Sequence, residues 1–92
     1  MMQLFAMKGR ELLAWNMRRV RVLRGISQER LAADAAVDRA YLGGLERQTE
    51  NPTVDLIDRI AGALAIPFDE LFARPAEGEP LPLPLRSGRR KA

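Results

Sequence analysis

The chain has 92 residues, 47% of them hydrophobic, and 15 Lys or Arg against 12 Asp or Glu give a formal net charge of +3. That length predicts one small domain, and that apolar content predicts a folded, mostly aliphatic core. Cys and His are both absent, which excludes a disulfide framework and a thiolate metal site and removes the commonest general base, so no enzyme, metal or cofactor is expected.

The first nine residues read as a leader: the apolar run near Met1 is short and is followed by Lys8 and Arg10, which does not make a signal peptide. No stretch of about 18 apolar residues predicts a membrane-spanning helix, so the expected compartment is the cytoplasm, beside the nucleoid. A domain is expected over 10–73, its first helix running from about Gly9 to Arg24. Leu13, Met17, Val20 and Leu23 recur there at helical spacing, and Gly25 stops the helix. Trp15 is expected to be partly exposed or to cover the N-terminal end of the core.

Ser27 is an N-cap residue for a second helix ending at Ala35, with Leu31, Ala32 and Ala35 on one face. Asp38 caps a third, which extends to Glu46 or Arg47 and aligns Leu42 with Leu45. Val37 plugs the angle between them. Two short helices joined by a tight turn have the layout of a helix-turn-helix, whose second helix enters the DNA major groove.

Residues 48–52 form a polar loop, and Thr53 caps a fourth helix striped by Val54, Ile57, Ile60, Ala61 and Leu64. Pro67 opens a short fifth helix carrying Phe68, Leu71 and Phe72. From residue 74 onward Pro75, Pro80, Pro82 and Pro84 replace helical periodicity, so 74–92 reads as a flexible, polyproline-like tail with a disordered basic end. The expected fold is therefore all-α: a compact five-helix domain with the helix-turn-helix at helices 2 and 3. Charge follows this order. Residues 1–47 carry +4, residues 48–85 carry −5 and the last seven carry +4. A chain with one basic half suits a partner made of phosphate.

Arg21, Gly25-Ile26-Ser27-Gln28, Leu31-Ala32, Val37, Leu42 and Leu45-Glu46-Arg47 form an ordered set, continued by Asn51-Pro52, Ile57, Ile60, Ala61 and Leu64. Together they resemble the XRE, or Cro/C1, helix-turn-helix family over residues 17–72. The resemblance implies a compact five-helix domain of the phage-repressor type and a DNA-binding transcriptional regulator, a repressor or controller protein. It also implies an ion pair between Arg21 and Glu46, a phosphate-binding and bracing role for Gln28, and a symmetric dimer contact near helices 4 and 5. Phe68, Leu71 and Phe72 are the candidates for that contact, with capping of the core as the alternative. A homodimer would suit a palindromic operator in double-stranded DNA.

Base-edge candidates are Arg39, Ala40 and Tyr41 in the first turn of helix 3, with Gly44 facing the groove by resemblance. Arg39 can bind guanine O6 and N7 in bidentate fashion, or else a phosphate; Ala40 suits a thymine methyl. Tyr41 is open between a phosphate contact and partial burial. Ser27, Gln28, Arg47 and Asn51 are the phosphate candidates, with Arg18 and Arg24 weaker ones. Ala36, Gln48 and Ala65 stand where the family often has Gly, so these turns are expected to carry strain or to use another geometry. Gly43 and Gly44 lie inside helix 3 at a cost of about 1 kcal/mol each. They either let the backbone approach the groove or make no contact. The alternative function is an antitoxin or other module binding a protein partner through the tail.

Overall fold

The computed structural model describes residues 7–76 and 78; residues 1–6 of the expected leader 1–9 and the basic, Pro-rich end of the tail lie outside them. Among the described residues four α-helices follow one another: α1 Gly9–Leu23, α2 Gln28–Ala35, α3 Arg39–Glu46 and α4 Val54–Leu64. A 3-10 turn, Phe68–Phe72, closes the chain of elements. No helix among the described residues is long and apolar enough to cross a membrane.

The N-termini follow from the capping residues. Ser27, Asp38 and Thr53 each accept a hydrogen bond from the backbone N–H three residues on, at 3.0–3.1 Å. These bonds satisfy donors that a helix start otherwise leaves orphaned. At α1 the Lys8 backbone N–H donates to Glu11 at 2.8 Å instead.

The C-termini share one geometry. Gly25, Ala36, Gln48 and Ala65 all adopt positive φ, between 58° and 67°. In each case the next residue's N–H reaches back five positions: Ile26 to Arg21, Val37 to Ala32, Thr49 to Gly44 and Ile66 to Ala61. This is the Schellman ending, and Ile26, Val37 and Ile66 pack against the core just after the turn. The turns thus keep the left-handed geometry without Gly at three of four ends. Arginines add to two of them. Arg59 donates to the Ala35 carbonyl at 3.0 Å, and Arg24 donates to the Leu64 carbonyl. A cation at a helix C-terminus is also favoured by the macrodipole.

The core joins Leu13, Met17 and Val20 of α1 to Leu31, Ala32 and Ala35 of α2, Leu42 and Leu45 of α3, and Ile57, Ile60, Ala61 and Leu64 of α4. Trp15 is half-buried, with the Arg19 guanidinium 5.4 Å from its ring centroid. The expected fifth helix is corrected: the described residues form four α-helices, and Phe68–Phe72 makes a 3-10 turn instead of a fifth. Glu70 N–H donates to Pro67 and Ala73 N–H to Glu70, both three residues back. Residues 68–74 between the two prolines leave room for fewer than two α-helical turns, and Arg74 before Pro75 is steered away from helix. Asn16, fully buried in α1, donates to the Leu71 and Ala73 carbonyls at 3.1 and 2.8 Å. It takes acceptors that a continuing helix would have used.

Replacing Ala36 or Ala65 by Gly removes the Cβ penalty of the left-handed conformation. Each variant is expected to be more stable, by about 0.5–1 kcal/mol, in thermal or urea unfolding.

Candidate nucleic-acid interface

Arg21 is buried in α1, and a buried guanidinium requires an anion. Glu46, the last residue of α3, supplies it. Arg21 Nε donates to Glu46 Oε2 at 2.7 Å and Nη2 to Oε1 at 2.9 Å, with both side chains about 95% covered. Arg21 Nη1 also donates to the Ile26 carbonyl at 2.9 Å, so one side chain binds both α3 and the entry to α2. The pair expected from the resemblance is therefore bidentate and desolvated.

From Glu46 the contacts run outward. Gln28 Nε2 donates to Glu46 Oε1 at 3.1 Å. A carboxylate accepts only, so the Gln28 amide must turn its nitrogen inward and its oxygen outward. That oxygen accepts from Arg39 Nη1 at 3.0 Å. Arg39, exposed in the first turn of α3, is thereby tied through Gln28 and Glu46 to the buried Arg21.

Helical arithmetic defines the outer face of α3. Residues 39, 43 and 47 lie four apart, as do 40 and 44, while Leu42 and Leu45 point into the core. Arg39, Ala40 and Arg47 are exposed; Tyr41 is half-buried against the core. Gly43 and Gly44 are covered by the protein itself. An ideal Cβ on Gly43 would stand 3.2 Å from Arg47 Nη1, 3.8 Å from Gln28 Oε1 and 3.9 Å from Arg39 Nη1. The missing side chain opens a notch bordered by both guanidinium groups and the Gln28 oxygen, where Arg39 makes its bond to Gln28. On Gly44 a Cβ would stand 2.7 Å from Glu50 Cγ, 3.0 Å from Glu50 Oε2 and 3.1 Å from Thr49 Oγ1. Gly44, a base-edge candidate by resemblance, is roofed by Thr49 and Glu50.

The remaining candidates divide by what already engages them. Ser27 uses its hydroxyl as the α2 cap, and Arg24 is committed to the end of α4. Asn51 is exposed and shares a cleft with Lys8, Arg10, Gln48 and Pro52. Leu71 is completely buried; Phe68 and Phe72 are partly buried against the core, their ring centroids 5.6 Å apart. Glu50 escaped the sequence reading because its position depends on the Schellman turn at Gln48. Gln48, standing where the family often has Gly, was the available signal. Among the described residues no group of His, Cys, Asp or Glu could hold a metal ion.

Comparison with known proteins agrees with this geometry. A helix-turn-helix family profile matches residues 17–71. A hypothetical transcription factor of Neisseria meningitidis is 40% identical over 68 residues, covering 74% of this chain and 64% of the relative. The present chain therefore spans less than two thirds of that relative's length. The crystal structure of the hypothetical transcription factor from Neisseria superposes with a TM-score of 0.73 at 38% identity, covering 76% of this chain and 80% of that one. The restriction-modification controller protein C.AhdI of Aeromonas hydrophila gives a TM-score of 0.65 at 39% identity, covering 66% and 92%. The chain belongs to the helix-turn-helix family of the XRE, or Cro/C1, type.

Glu46→Ala is expected to cost about 3–5 kcal/mol of stability, because Arg21 would remain buried without its anion. The two glycines should respond differently. Gly43→Ala gains up to about 1 kcal/mol of helix propensity by displacing only the flexible end of Arg47. Gly44→Ala meets Glu50 and Thr49 and is expected to gain nothing or to destabilise. Urea denaturation of both variants checks the contrast.

Proposed function

Starting from membership of this family, we propose that the protein is a sequence-specific DNA-binding transcriptional regulator that reads the major groove with α3. The observation that carries the reading is the chain of contacts from Arg21 through Glu46 and Gln28 to Arg39. It spends a buried ion pair on holding one exposed guanidinium at the start of an outward-facing helix. A readout group held in place before binding loses less conformational freedom when it binds.

Arg39 then donates to guanine O6 and N7, and Ala40 meets a thymine methyl. Tyr41 offers its hydroxyl to the backbone at the edge of the groove. The N-terminus of α2, with Ser27 and Gln28, faces a phosphate, a placement favoured by free N–H groups and the helix dipole. Arg47 and Asn51 take further phosphates and set register rather than sequence.

Two copies related by a twofold axis, meeting through Phe68 and Phe72, would present two α3 helices to half-sites about 34 Å apart. This form suits a palindromic operator and a compact regulator working in the cytoplasm. The relative named as a restriction-modification controller protein, covered over 92% of its length, favours a repressor or controller role.

Selection from random duplex DNA by the full-length protein, at near-physiological salt, tests the proposal. An enriched inverted repeat is expected; binding without enrichment would leave only the nonspecific phosphate attraction. Arg39→Ala is expected to cost about 1–3 kcal/mol on the selected site and to relax preference at one base pair. Equal losses on all sequences would move Arg39 to the phosphate class.

A further inference from the structure

Glu50 lies where an acidic residue is hardest to explain. The Schellman turn at Gln48 brings Thr49 back so that its N–H and hydroxyl both donate to the Gly44 carbonyl, at 2.9 and 3.1 Å. The Glu50 side chain follows and lies across Gly44, a position with no room for a Cβ beneath it. Gly44 shares the outer face of α3 with Ala40 and lies about 140° around the helix from Arg39, at the other edge of that face. The Glu50 carboxylate and the Arg39 guanidinium therefore flank the outer face from its two edges.

No described residue engages that carboxylate. Among the described residues Glu50 forms no ion pair and its side chain accepts no hydrogen bond. Yet the fold gives up a side chain at Gly44 to seat it. A carboxylate facing phosphate is repelled, and an ionised one can only accept hydrogen bonds. The major groove presents such a donor at cytosine N4. Adenine N6 is also a donor, but it stands beside the N7 acceptor, whose lone pair opposes a carboxylate. Cytosine itself carries no acceptor on its major-groove edge.

We infer that Glu50 is a second specificity-determining residue, which accepts a hydrogen bond from cytosine N4 while Arg39 reads a guanine. The inference rests on the proposal that α3 reads the major groove. Five residues separate Arg39 from Gly44, a rise of about 7.5 Å along the helix. Base pairs are stacked about 3.4 Å apart, so the cytosine lies within about three pairs of the guanine.

The test is random-duplex selection with the full-length wild type, Glu50→Ala, Glu50→Gln and Arg39→Ala, each first shown by thermal unfolding to be folded. The wild type is expected to enrich a C·G pair near the pair lost in Arg39→Ala. Glu50→Ala should flatten that preference by about tenfold, the order conferred by one good base-edge contact, while leaving other positions unchanged. Glu50→Gln should extend the preference to adenine, whose N6 and N7 an amide can bind together. Wild-type base preferences kept at every position by both Glu50 variants would overturn the inference, even if their affinity rose uniformly. Failure of the wild type itself to enrich any sequence would overturn the DNA-reading proposal, and this inference with it.

Discussion

The desolvated pair of Arg21 and Glu46 is the constraint on which the rest of the fold depends. Taking two charges out of water is expensive, and replacing such pairs by apolar residues is often neutral or favourable. Its effect here is better understood as geometry than as stability. Arg21 has five N–H donors in a rigid fork, and three of them are used at once, on both Glu46 oxygens and on the Ile26 carbonyl. Fixing α1, the turn into α2 and the end of α3 with one planar group leaves little freedom in the angle between the two short helices. Two methyl-rich surfaces could slide against each other; a bidentate ion pair cannot without losing its geometry.

The same pair orders the surface above it. Glu46 Oε1 accepts from both Arg21 and Gln28, so an interior charge decides which way an otherwise ambiguous amide points. That direction in turn selects Arg39, rather than a carboxylate, as the group that meets the Gln28 oxygen. The outer side of α3 is in this sense an extension of the core. It explains how an eight-residue helix with two interior glycines holds its outer residues in place. Gly43 and Gly44 weaken α3 as an isolated helix, but the vacated space is refilled by Arg47, Arg39 and Gln28 on one side and by Thr49 and Glu50 on the other.

Much of this architecture was legible from residue type and spacing. Ser27, Asp38 and Thr53 mark three helix starts because a short polar side chain before an amphipathic stretch can satisfy a backbone donor locally. The 3.6-residue period of Leu13, Met17 and Val20, and of Ile57, Ile60 and Leu64, identifies the buried faces. What failed was the last element. Phe68, Leu71 and Phe72 have helical spacing, but one turn of 3-10 geometry places them equally well, and periodicity does not distinguish the two over five residues. Its C-terminus is decided by Asn16, more than fifty residues earlier in the chain, and local pattern carries no trace of that contact. Glu50 was missed for a related reason. Read locally, it belongs to a polar loop, and only the positive φ of Gln48 folds that loop back over α3.

The charge pattern acquires a structural meaning once the elements are in place. The chain changes sign after Arg47, at the end of α3. The acidic residues that follow are mostly carried by α4 and the 3-10 turn, as Asp55, Asp58, Asp69 and Glu70, and α4 packs against α2 while the turn packs against α1 and α4. The outer face of α3 instead carries Arg39 and Arg47. Such separation of charge turns a small protein in the field of a polyanion, presenting the basic side before any contact forms. Glu50 breaks the pattern: it is the acidic residue seated across the outer face of α3, at a position the fold keeps free of a competing side chain. Uneven charge arising only from drift among solvated surface residues would not require a glycine beneath the exception.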